Sequence, residues 1–137
     1  MALWFARSVL GLIFFMAGFW KVFTLGPAGH VAKYFLPFSD TMLPIWSLWA
    51  VGYTIPFVEL IAGALVIVGA FRTAAYSGLG AVLLTVTFGH LLHAPLYSFS
   101  EHVIPRLGLL LLVLLMPPEA DRFSLDEWLQ RWRPRAG

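Results

Sequence analysis

The stretch Thr54–Phe71, TIPFVELIAGALVIVGAF, is almost wholly apolar and holds one acid, Glu59, near its middle. A carboxylate in an apolar run of membrane length is costly unless it finds a partner, which makes it a functional-site candidate by default. What the chain can fold into depends on where this stretch lies and on what Glu59 meets.

The rest of the sequence supports a membrane setting. Of 137 residues, 60% are hydrophobic and 12% charged, with a mean hydropathy of +0.82. Soluble chains carry about a quarter charged residues, so the membrane class is the strong expectation. The net charge is +2, and outside the C-terminal tail the basic residues are scattered, which gives no nucleic-acid surface. There is no cysteine. That excludes disulfides, thiolate ligands and a thiol–disulfide relay within the chain. The run VLGLIFFMAGF after Arg7 has the charge and apolar character of a signal sequence. It is long enough to span, lacks a clear A-x-A site and is followed closely by Lys21, so we read a retained first helix.

The expected architecture is all-α, a four-helix transmembrane bundle with spans at about 3–25, 45–70, 74–93 and 98–116. Residues 1–118 form the membrane domain, and 119–137 a short amphipathic surface helix in a cytoplasmic tail. Arg7, Gly11, Phe14, Gly18 and Lys21 share one face of the first helix, and its glycines admit a close neighbour. Gly52, Pro56, Glu59, Gly63, Val66 and Ala70 share the small-residue face of the second. The third helix has small residues on several faces and is expected at the centre. Ser98 to Glu101 and Ser124 to Glu127 match the S-x-x-E capping box, which opens the fourth helix and the tail helix. The connector Gly26–Pro44 is expected along the membrane surface, and Phe71–Thr73 as a tight turn. Three spans plus a re-entrant segment is the alternative. Basic residues at the span ends put Arg7, Arg72, Arg122, Arg131, Arg133 and Arg135 on the cytoplasmic side of the inner membrane, with both termini. Lys21, Lys33 and Arg106 fall on the other side.

Glu59 has two candidate partners. By the helical rise it lies roughly 16 Å from the cytoplasmic end of its helix, and Arg7 roughly 6 Å from that end. Lys21 is about as far away in the other direction. An Arg7–Glu59 pair is the favoured reading, either as a register-fixing ion pair or as a proton or ligand site. His30, His90, His93 and His102 all fall on the non-cytoplasmic side. His90 and His93 are three apart, share a face and could bind a cofactor or one metal ion together; the bland reading is bonding to water and backbone. No phosphate loop, nucleophile triad or paired carboxylate motif is present, and we assign no metal site.

Four pieces, in order, resemble the DoxX family of small four-helix membrane proteins: RSVLGLIFFMAGFWKV, VELIAGALVIVGAFRTAA, TVTFGHLLH and RFSLDEWL. The resemblance carries over Arg7, Gly11, Gly18, Lys21, Glu59, Gly63 and His90. It implies association with redox enzymes, including the membrane part of a thiosulfate:quinone oxidoreductase. The leading expectation is therefore a redox-associated membrane subunit working with a quinone or a partner oxidoreductase. Arg7 and Glu59 would form its intramembrane polar site, and Lys21, His90 and His93 its outer one. The alternatives are a non-catalytic scaffold or assembly protein and a small oligomeric transporter.

Overall fold

Apolar side chains cannot satisfy a backbone, so an apolar chain closes its own hydrogen bonds as helix. A computed structural model describes residues 2–93, 103–117, 121 and 123–132, all helix and connections with no strand among them. Helix α1 (Ala2–Phe19) runs on as a π-helical turn through Trp20–Leu25, a continuous apolar rod of 24 residues. Gly26, at φ 77°, breaks it, and Pro27 opens α2 (Pro27–Tyr34) with its preset φ. A 3₁₀ turn (Leu36–Asp40) leads to α3 (Ile45–Val68). Helix α3 ends on Gly69 in the left-handed region, whose N–H bonds back to the Leu65 and Val66 carbonyls. Helices α4 (Arg72–His93), α5 (Ile104–Leu115) and α6 (Leu125–Trp132) follow.

Helix α1 packs on α3 and α5, α3 on α4, and α4 on α5, which closes a ring of four. Helix α2 also lies on α3. The centre is therefore α3 and not α4, a correction to the expectation from small residues. The reason lies in how the glycines are used. A Cβ on Gly63 would stand 2.5 Å from the Phe15 backbone nitrogen, and one on Gly11 2.7 Å from the Ile67 side chain; Gly18 abuts the Leu60 backbone still more closely. In α4, Gly78 and Gly80 have ordinary clearance and Gly89 faces open space. Close backbone approach is spent on the α1–α3 seam, which buries Leu10, Phe14, Ile55 and Val66.

Three helices, Ala2–Leu25, Ile45–Val68 and Arg72–Leu92, are long and apolar enough to cross a membrane. The described part of the fourth segment is the twelve-residue α5, shorter than a span, and the capped start at Ser98–Glu101 lies outside the described residues. The turn expected at Phe71–Thr73 is tighter than read. Arg72 and Thr73 already belong to α4, because the Asp126 carboxylate accepts from the Phe71 and Arg72 N–H groups at 3.2 Å each and caps the helix.

Candidate functional site

The buried charges form two centres, one at each half of the bundle. Arg7 is 0% exposed. Its Nη1 donates to the Val66 carbonyl and to the Ile67 carbonyl at 2.6 Å, and its Nη2 to the Phe123 carbonyl at 3.4 Å. Those first two carbonyls belong to the last turn of α3, and the Val66 carbonyl also accepts from the Gly69 N–H at 3.2 Å. The counter-charge is Asp121, 1% exposed, with Oδ2 3.0 Å from Arg7 Nε. Arg72 adds contacts to Asp121 at 3.5 Å and to Asp126 at 3.4 Å. The Asp126 N–H donates to the Gly69 carbonyl at 3.2 Å. The tail is thus bolted onto the end of α1 and the α3–α4 turn.

The expected Arg7–Glu59 pair is not formed. Arg7 turns toward the end of the bundle and is consumed by Asp121 and the α3 carbonyls. Glu59, 5% exposed, pairs with Lys21 instead, Nζ to Oε2 at 2.6 Å. The facing was read correctly: Glu59 looks at the glycine stripe of α1. The partner was not. The deciding acid, Asp121, lies in a tail that reads as polar surface. The available signal was its position three residues before a capping serine, next to RFSLDEWL, and the lack of any other nearby acid for Arg7. Lys21 is 20% exposed, so the pair is open on one side. Arg106 of α5 stands 5.9 Å over the buried Phe14 ring and within Coulombic range of Glu59. Sequence reasoning placed Arg106 at the surface; α5 brings it inward.

Pro56 explains the third polar contact. Proline has no N–H, so the Gly52 carbonyl one turn earlier loses its helical donor. The His30 Nδ1–H supplies the bond at 2.7 Å. His30 is 3% exposed and rests on Tyr34 and Phe35. Burial, and more weakly the Lys21 charge, push its pKa down, against a smaller upward pull from the Gly52 carbonyl. Helix α2 thus lies on α3 through His30 and Val31, with Ala28, Ala32, Lys33 and Tyr34 exposed. The signal was Pro56 itself, which orphans a specific carbonyl.

Of the outer cluster of Lys21, His90 and His93, the side chains of Lys21 and His90 are among the described residues. Lys21 is taken by Glu59. His90 bonds the Val86 carbonyl of its own helix at 2.8 Å, and its ring meets Phe38. The His93 side chain and His102 lie outside the described residues. Among the described residues no group of three or more His, Asp or Glu could hold a metal ion. No family model, curated protein or solved structure matches the chain.

Proposed function

We propose that the chain is a DoxX-like, four-span inner-membrane protein with both termini cytoplasmic, acting as a redox-associated subunit with a quinone or a partner oxidoreductase. The observation that carries this reading is the Lys21–Glu59 pair, buried between apolar helices yet open on the Lys21 side. A pure register pin has no need of exposure. A carbonyl-bearing headgroup fits this donor set by its chemistry: an ammonium to donate to one oxygen and a carboxylate to take or return a proton beside it. A bound quinone would supply the two-electron acceptor, and the partner oxidoreductase the electrons. Lys21 orients the headgroup, and Glu59 holds the proton. The apolar groove lined by Phe15, Phe19, Phe23, Leu60 and Ile61 would take lipid or an isoprenoid chain. The amphipathic α6, with Leu125, Trp128 and Leu129 exposed, fits the membrane surface.

The test is gentle purification followed by quinone extraction and by quinone-dependent turnover with the co-purifying partner. Glu59→Gln should abolish turnover while leaving the fold intact. A protein carrying no quinone, and no turnover with any partner, would reject the reading.

A second reading, a non-catalytic scaffold, is favoured by the Arg7–Asp121 bolt and the glycine seam, which are wholly structural. It expects Glu59→Gln to lower complex recovery without a separate loss of turnover.

A further inference from the structure

Helix α6 starts at the level where two spans end. The Asp126 N–H donates to the Gly69 carbonyl, and the Asp126 carboxylate accepts from the Phe71 and Arg72 N–H groups, at 3.2 Å each. Gly69 closes α3 and Arg72 opens α4, both long and apolar enough to cross a membrane. Three hydrogen bonds thus fix the start of α6 at the boundary of the apolar layer. The side of α6 that meets the bundle is polar, with Arg72 Nε 3.4 Å from the Asp126 carboxylate. Leu125, Trp128 and Leu129 form a separate stripe, and all three are exposed. At 3.6 residues per turn the stripe lies roughly a quarter-turn from Asp126, so it is not directly opposite the bundle contact. The same level carries exposed aromatics. Phe71, between α3 and α4, is 73% exposed, and Phe123 precedes α6. The Trp4 ring of α1 lies 6.4 Å from that of Phe123. Aromatic collars at the ends of spanning helices sit at the headgroup level of a bilayer. Charge is the second signal. Asp121 is engaged by Arg7 and Asp126 by Arg72. Beyond Glu127 the sequence carries Arg131, Arg133 and Arg135 and no acid. An apolar stripe followed by a run of cations fits a surface that is apolar within and anionic at its face.

We propose that α6 and the arginines after it form a docking surface for the anionic phospholipids of the cytoplasmic leaflet. Leu125, Trp128 and Leu129 enter the headgroup–acyl boundary. Arg131, Arg133 and Arg135 supply the charge that selects anionic over zwitterionic headgroups. The proposal rests on the reading that sets the tail at the cytoplasmic membrane surface. It involves neither the Lys21–Glu59 pair nor a quinone, so its test and the turnover test fail separately.

The chain has no cysteine, so a single introduced one can carry a polarity-sensitive fluorophore. Leu129→Cys places it on the stripe, and Glu127→Cys on the other side of α6. Each full-length variant is set in lipid discs of phosphatidylcholine, alone or mixed with phosphatidylglycerol, with and without a lipid-borne quencher. The label at 129 should report an apolar setting, be quenched from the lipid, and shift further with phosphatidylglycerol. The label at 127 should report water in both lipids. Arg131→Gln, Arg133→Gln and Arg135→Gln together should abolish the phosphatidylglycerol-dependent part of the shift, and added salt should shrink it. If Leu129→Cys does not fold, Trp128→Cys carries the same test. The proposal is overturned if the label on the stripe reports water in both lipids, or if the two labels behave alike. It is also overturned if that label is apolar but unquenched, which would mean that a second copy covers the stripe. Indifference to phosphatidylglycerol or to the triple substitution would overturn it as well.

Discussion

A charge buried in an apolar bundle is only as cheap as its partner. Arg7 and Asp121 are both almost fully buried, so Asp121→Asn leaves a guanidinium uncompensated and should cost about 3–5 kcal/mol. Thermal unfolding in detergent checks this, and the companion Arg7→Met in the same background should recover part of the loss. His30 makes a different prediction. Burial lowers its pKa from the ordinary 6.5, so the unfolded chain takes up a proton before the folded one. Its contribution is complete above about pH 6.5 and is lost as pH falls through the lowered folded value. A melting-temperature profile should fall on that acid side. His30→Gln, which keeps a donor without titrating, should flatten it. That Glu59 faces α1 was legible from Gly63, Gly11 and Gly18, because small residues mark where helices touch. Which cation it meets was not legible. Helical rise places Arg7 and Lys21 almost equally far away, and the choice is made by Asp121, more than fifty residues beyond Glu59.

At the level of elements, the α1–α3 seam is the part of the fold most fully written in local sequence. The spacing of Gly11, Gly18 and Gly63 announces it, and the backbones do come into contact there. Gly63→Ala should therefore force α1 outward and destabilise by about 1–3 kcal/mol. Gly89→Ala, which faces open space, should leave the melting temperature unchanged or raise it. Glycine content alone misled for α4, where Ala74, Ser77 and Ala81 are exposed and the glycines have ordinary clearance or open space. The contact of α2 with α3 was also hidden, since a short segment with three nearby prolines gives no sign of it until the orphaned Gly52 carbonyl is counted. The π-helical turn at Trp20–Leu25 escapes a search at the ordinary helical period, because its hydrogen bonds skip one residue further.

For the whole molecule, hydropathy alone gave the class, the three long helices and the placement of their ends within a few residues. The closing of the ring by α5 depends on contacts among helices distant in sequence, which no local window contains. Orientation is testable because the chain has no cysteine. Single cysteines at Lys33 and Glu127, probed in whole cells with a membrane-impermeant maleimide, should label only at Lys33 if both termini are cytoplasmic; the reverse pattern would invert the topology. The bolt between Arg7 and Asp121 has a consequence in time. Asp121 is synthesised more than a hundred residues after Arg7, so α1 waits through that interval for its counter-charge. Until then α1 carries an unneutralised cation, and a chain cut short of Asp121 keeps it. Chains stopped after Met116 should consequently be degraded faster than full-length chains, and Arg7→Met should slow that degradation.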